Sequence, residues 1–240
     1  MDFATPDVQR VADAVRDAFL RVMDDRLTAF VVHGSAVTGF IPSFSDFDFV
    51  IFSHGKLALD DAFDIQRSLS ALDSAPFSYL QLSRLVDLDD PLERRNGLIE
   101  DAFVVVHGSL PTAWSLHSPE LLRERGLEAL RRIAPDLHRL SKDWSVANAW
   151  QRPGLVRYLA TILKPAVRGL LCELGDPVLD VWRSPYPVLA RRLEAHDTEL
   201  GASMISLIGL LPPEAQTQDG VARRLFSLLG AVQRRAASLE

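Results

Sequence analysis

The sequence predicts an α+β protein with a sheet in its first half and an all-helical second half. In the first half, short apolar runs at 29–33, 46–52 and 102–107 alternate with amphipathic helical patterns. A turn cluster at 108–112 then separates the two halves. Beyond this cluster strand signals disappear, and apolar residues recur at helical spacing, which is typical of a helical bundle.

The first half opens with an amphipathic helix. Thr5 is the expected N-cap and Pro6 the first helical residue, and the apolar spacing continues to about Asp24. The elements expected next are a strand at 29–33, a helical turn at 36–39, a strand at 46–52, a helix at 57–72, a strand at 77–82, a helix at 91–100 and a strand at 102–107.

The second half is expected to hold only helices. Pro165 should kink or interrupt one of them, because proline lacks the N–H that a helix interior needs. The predicted helices cover 119–141, 153–174, 187–200, 202–211 and 221–239. Residues 1–112 and 113–240 are therefore expected to form two domains.

Composition excludes several classes of protein. The 240 residues carry a net charge of -6, which argues against extended nucleic acid as a partner. The single cysteine, Cys172, cannot form an intramolecular disulfide, and its apolar surroundings predict a buried core residue. The N-terminus lacks the apolar region of a signal peptide, and no apolar stretch is long enough for a membrane span, so a cytoplasmic location is expected.

Two short motifs lie close together in the sequence. Gly34-Ser35 ends the first strand, and Asp46 and Asp48 belong to the second. Alternate residues of a strand share a face, so the two carboxylates lie side by side and need a cation such as Mg²⁺. A glycine turn lets backbone approach a phosphate closely. Together they indicate phosphoryl or nucleotidyl transfer.

Each motif also has a purely structural interpretation. Gly-Ser can be an ordinary turn, and Asp-x-Asp can be the solvent face of an edge strand. However, Val50 and Phe52 are apolar on the carboxylate face, and the opposite face is apolar as well. A strand apolar on both faces is mostly buried, and carboxylates at the end of such a strand favour the metal-site interpretation.

The segment HGSAVTGFIPSFSDFDFVIF (33–52) resembles the signature of the DNA polymerase beta-like nucleotidyltransferase superfamily. It is most similar to bacterial antibiotic nucleotidyltransferases and minimal nucleotidyltransferase antitoxins. The resemblance implies a mixed sheet flanked by helices, followed by a helical acceptor-binding domain. It also implies Mg²⁺-dependent transfer of a nucleoside monophosphate from a triphosphate, with ATP expected, to a hydroxyl of a small molecule such as an antibiotic, releasing pyrophosphate.

The resemblance assigns roles to individual residues. Asp46 and Asp48 become the catalytic metal ligands, and Gly34 and Ser35 contact the triphosphate. In the helical half, basic residues on one predicted helix face, above all Lys164 and Arg168, are expected to bind the triphosphate or an acidic acceptor; alternatively they form a solvated face. Further basic candidates are Arg157, Arg191 and Arg192.

The sequence departs from the family at the third carboxylate. The family supplies it from a later strand, but the strand predicted at 77–82 contains no acid. Asp87 is a candidate replacement, or else a surface loop acid. Two alternatives to a small-molecule acceptor therefore stay open: a protein or tRNA acceptor, as in toxin–antitoxin nucleotidyltransferases, and a nucleotide-binding module without activity.

Two other residue types have structural interpretations. His33 is expected to hydrogen-bond to backbone at its strand end, rather than to act on phosphates. The tryptophans are expected to pack in the core or between domains, although one of them could stack on a ring of the substrate. They are Trp114, Trp144, Trp150 and Trp182.

Overall fold

The structure is a computed structural model that describes residues 3, 5–90, 97–112, 114–212 and 217–239. The chain separates into two compact units, Met1–His117 and Ser118–Glu240. The first contains the sheet and the second contains helices, so the expected α+β fold class is confirmed.

Helix α1 (Pro6–Met23) begins as predicted, with the Thr5 hydroxyl accepting the N–H of Val8 at 3.4 Å. Its apolar stripe is buried against the sheet and closes one side of the core. A 3₁₀ turn (Asp24–Arg26) then leads into the first strand.

Within the described residues, four strands form one mixed sheet in the order β3-β2-β1-β4. Strand β1 pairs antiparallel with β2 and with β4, whereas β2 and β3 are parallel. A parallel pair needs a crossover, and helix α3 (Leu59–Ser70) supplies it. The strands are β1 (Leu27–His33), β2 (Phe47–Ser53), β3 (Leu80–Asp87) and β4 (Phe103–Gly108).

The two central strands are apolar on both faces, which is the pattern that their sequences predict. On one face Phe30 and Phe49 stack at 5.3 Å beneath α1. On the other face Val50 and Phe52 form a second cluster that includes Trp114, whose ring meets Phe52 edge-on at 4.7 Å. Asp46 and Asp48 therefore lie at the end of a buried strand.

The structure corrects two expectations in this unit. The third strand begins at Leu80 rather than Phe77 and continues to Asp87, because the residues before it form a turn held by the Ser74 and Ser45 carbonyls. The helix expected at 91–100 falls partly on 91–96, which lie outside the described residues, and 97–100 are not helical.

The second unit is built around a close crossing of two long helices. Gly126 of α4 (Pro119–Val146) and Gly169 of α5 (Arg152–Glu173) pack backbone to backbone. The helices that follow are α6 (Val178–Arg183), α7 (Tyr186–His196), α8 (Thr198–Ile208) and α9 (Gln218–Ala237). Within the described residues, no helix combines the length and apolarity that a membrane span requires.

Helix boundaries in this unit differ from expectation at three places. Pro165 does not interrupt α5, which runs through it. The helix predicted at 187–200 is divided, because Asp197 both ends α7 and caps α8 by accepting the Leu200 N–H at 3.0 Å. The short helix α6 had no clear periodic signal, because its six residues are too few to show one.

Candidate active site

The turn after β1 places its backbone against a carboxylate of β2. Gly34 has a φ of 69°, a region that residues with a Cβ rarely adopt. A Cβ built on Gly34 would lie 2.8 Å from Oδ2 of Asp48, closer than real Cβ contacts allow. Glycine is therefore required both by the backbone conformation and by the nearness of the carboxylate.

Ser35 ties the same turn to the start of β2. It opens the helical turn α2 (Ser35–Thr38), and its hydroxyl donates to the backbone carbonyl of Asp46 at 2.9 Å. The first N–H groups of any helical turn have no partner inside it, so they can face a bound anion. The structure thus brings together four of the predicted residues: Gly34, Ser35, Asp46 and Asp48.

The two carboxylates share one face of the strand. Asp46 precedes β2 and Asp48 lies within it, and both are half-buried. The neighbouring Phe47 and Phe49 turn to the opposite face and are fully buried. Burial of the flanking phenylalanines fixes the strand, so both acids are held at one end of the sheet.

Serine hydroxyls from the β3 side contact both acids. The Ser78 hydroxyl lies 3.2 Å from Oδ1 of Asp46, within reach also of the Phe44 and Ser45 carbonyls. The Ser83 hydroxyl donates to Oδ1 of Asp48 at 3.3 Å. Sequence reasoning missed both serines, because their approach depends on the β2–β3 register.

This arrangement suits a hard divalent cation. Two half-buried carboxylates on one face offer oxygen ligands of the kind that Mg²⁺ binds, and the backbone of the Gly34 turn lies against one of them. Among the described residues, no cluster of three or more His, Cys, Asp or Glu side chains could hold a metal. An ion here would therefore need phosphate or water oxygens to complete its coordination.

His33 lies beside this pair as a neutral side chain. It is directly opposite Asp48 in the β1–β2 ladder. Burial lowers the His33 pKa to about 4, so the imidazole carries no charge at neutral pH. Its Nε2 is buried without a hydrogen-bond partner, so the expected backbone hydrogen bond is not made through that atom.

Asp87 does not belong to the site. The register aligns it with Ser53, five residues beyond Asp48 on β2, or roughly 17 Å away. Its Oδ1 accepts the N–H groups of Gly55 and Asp89, so it organises a turn at the other end of the sheet. The Asp87 candidate is thus corrected, and the β3 residue aligned with Asp48 is Gln81.

Lys164 and Arg168 lie in the helical unit. Arg168 stacks on the Trp182 ring at 4.9 Å and donates from Nη2 to the Trp182 carbonyl at 2.6 Å, while its Nε is buried without a partner. Burial lowers the Arg168 pKa to about 10, so the guanidinium stays charged at neutral pH. The Lys164 ammonium lies 5.4 Å from the centre of the Tyr186 ring. These contacts group the two cations around α6 and α7.

The tryptophans behave differently from one another. Trp114 and Trp182 pack as expected, each on its own unit. Trp144 is half-buried and is stacked by Arg152 at 5.7 Å. Trp150 is 88% exposed, so the packing expected of it is wrong.

Comparison with solved structures finds the same fold in an enzyme. The crystal structure of spectinomycin adenyltransferase AAD(9) from Enterococcus faecialis with ATP and spectinomycin superposes with a TM-score of 0.52. The match covers 95% of this chain and 98% of that chain at 10% sequence identity. No protein-family model and no curated protein sequence matches the chain. The likeness shows a shared fold across nearly the whole length of both proteins.

Proposed function

We propose that the protein is a Mg²⁺-dependent nucleotidyltransferase that transfers a nucleoside monophosphate from a triphosphate to a hydroxyl of a small molecule. ATP is the proposed triphosphate. The observation that carries the proposal is the contact of the Gly34 turn with the Asp48 carboxylate. It places the backbone of the turn directly against the strand end that carries both acids. The shared fold with an adenyltransferase solved with ATP and an antibiotic supports it.

In the proposed reaction the acceptor oxygen attacks the α-phosphorus of the triphosphate. A new P–O bond forms, the bond to the β-phosphate oxygen breaks, pyrophosphate leaves with that electron pair, and the hydroxyl proton passes to solvent water. Mg²⁺ would neutralise phosphate charge when bound. Asp46 and Asp48 would hold the ion, and the turn at Gly34 and Ser35 would position the phosphates through its N–H groups.

The cations of the helical unit are proposed to bind the phosphates as well. Lys164 and Arg168 are one helical turn apart on α5, and the Arg168 Nε lacks a hydrogen-bond partner. An ammonium group and a guanidinium group are the usual partners of a triphosphate. The acceptor class proposed is an antibiotic-like compound that carries free hydroxyls.

The test is to incubate purified protein with Mg²⁺, α-labelled ATP and candidate aminoglycoside-like or lincosamide-like acceptors, and then with a cell extract. Label is expected in a small product, together with pyrophosphate release. Asp46→Asn and Asp48→Asn should abolish it, whereas Asp64→Asn, an exposed acid on α3, should not. Label on protein or tRNA would show that the acceptor is a macromolecule rather than a small molecule. Absence of label on every acceptor would reject the proposal.

A further inference from the structure

The neighbouring strand carries an amide directly beside the two acids. Asp48 and Gln81 are aligned partners in the parallel β2–β3 ladder, so their side chains leave the same face of the sheet. Ser83, two residues along, reaches the Asp48 carboxylate from that face. The Gln81 side chain is exposed, and its Oε1 accepts a hydrogen bond from the Tyr79 hydroxyl at 3.3 Å.

The sheet face that carries Asp46, Asp48 and Gln81 has the negative charge that neutralises one divalent ion. Asp46 and Asp48 together supply two negative charges, and the Gln81 amide supplies none. From Leu80 to Val86 the only charged residue of β3 is Arg84, a cation aligned with Val50. Among the described residues, no third acidic side chain joins Asp46 and Asp48 in a cluster that could hold a metal, so a second divalent ion would find no further carboxylate there. It would also be repelled by the first ion.

We propose that Gln81 limits the site to one protein-held divalent cation per bound triphosphate, so that the protein binds nucleotide well but activates the acceptor hydroxyl poorly. This inference rests on the proposed function. An acceptor hydroxyl attacks faster when a nearby base or metal ion removes its proton. Glutamine has the shape of glutamate without its charge. An amide at this position therefore neither accepts the hydroxyl proton nor helps to bind a second metal ion that could activate the hydroxyl.

Metal stoichiometry tests the inference without relying on turnover. Mn²⁺ binding is measured by equilibrium dialysis, with the protein saturated by the nonhydrolysable analogue α,β-methylene-ATP. The unsubstituted protein is expected to bind one Mn²⁺ per nucleotide complex, and Gln81→Glu to bind two. The matched control is Leu82→Glu, which adds the same charge at a 39% exposed neighbour on the opposite face and should bind one.

Transfer rate supplies the second readout. Gln81→Glu is expected to raise transfer of α-labelled nucleotide at least about tenfold, since general-base assistance is commonly worth more than that. Affinity for the analogue should change little, because the carboxylates that hold the first ion are untouched.

The outcomes separate the two proposals. Two Mn²⁺ ions in the unsubstituted protein, or one in Gln81→Glu, would overturn the Gln81 inference while leaving nucleotidyl transfer intact. Failure of every variant to bind Mn²⁺ with nucleotide, or full binding in Asp46→Asn, would instead overturn the proposed function and this inference with it.

Discussion

At the scale of single residues, Gly34 makes the sharpest prediction. Gly34→Ala would place a methyl group 2.8 Å from Asp48 Oδ2 and force alanine to a φ of 69°. With ψ at -138°, strain in this sparsely populated backbone region alone costs about 1–3 kcal/mol. The displaced carboxylate should in addition weaken binding of the Mg²⁺–ATP complex by more than tenfold, which isothermal titration calorimetry would measure.

Gly55 provides a control for that experiment. It has a φ of 74°, but a Cβ there meets nothing within 4 Å. Gly55→Ala should therefore lose unfolding free energy through its positive φ and keep its nucleotide affinity. Equal affinity losses in both variants would mean that backbone strain, and not the carboxylate contact, explains the effect of Gly34→Ala.

His33 predicts a pH dependence of stability. Its pKa falls from 6.5 to about 4 on folding because of burial, so the unfolded chain binds the proton more tightly. Below pH 6.5 protonation favours unfolding, and the folded state loses about 2 kcal/mol between pH 7 and pH 5. Urea unfolding of the metal-free protein at the two pH values should show this loss. His33→Gln should remove most of it, and His54→Gln, at an exposed site, should not.

At the scale of elements, the α4–α5 crossing depends on glycine. A Cβ on Gly169 would lie 2.3 Å from the Gly126 carbonyl oxygen. Gly169→Ala should lower the unfolding free energy by about 1–3 kcal/mol through overpacking, although alanine is the better helix former. On the same helix, Gly154 has open space around its Cα, so Gly154→Ala should be neutral or stabilising. Thermal unfolding that ranks the two variants the other way would contradict this account of the crossing.

The sequence predicted the elements whose position depends on local residue types. It did not predict those whose position depends on how one strand pairs with another. The Thr5 cap, the two-faced apolar strands and the Gly34–Asp48 neighbourhood follow from spacing and residue type. The start of β3 and its register do not, because an edge strand whose first half is largely exposed has no strong local signal. Ser78, Ser83 and Gln81 were missed for that reason. The break at Asp197 was missed because an aspartate, not a glycine or proline, makes it.

At the scale of the whole molecule, this chain and the adenyltransferase share a fold although their sequences are only 10% identical. What the two chains need in common is a pattern of burial, which many sequences satisfy. The chemistry proposed for this chain places a narrower demand on the sequence, since it requires glycine, acids and cations at defined places. The chain has a net charge of -6, so a bound triphosphate would need cationic side chains close to it. The basic residues of the helical unit are candidates for this role.

Lys164 tests whether the helical unit takes part in nucleotide binding. If its ammonium contacts the triphosphate, Lys164→Ala should weaken Mg²⁺–ATP affinity by about tenfold or more, because a hydrogen bond to a charged group contributes about 1.5–3 kcal/mol. Lys142→Ala, which removes an exposed lysine from α4, is the matched control and should bind normally.

Thermal unfolding gives a second measurement of the same contact. Nucleotide binding stabilises the folded state, by about 2.7 kcal/mol when the ligand is present at 100 times its Kd. Thermal unfolding with and without Mg²⁺–ATP should therefore show the full shift in Lys142→Ala and a reduced shift in Lys164→Ala at the same concentration. An undiminished shift in Lys164→Ala would exclude Lys164 from the nucleotide site.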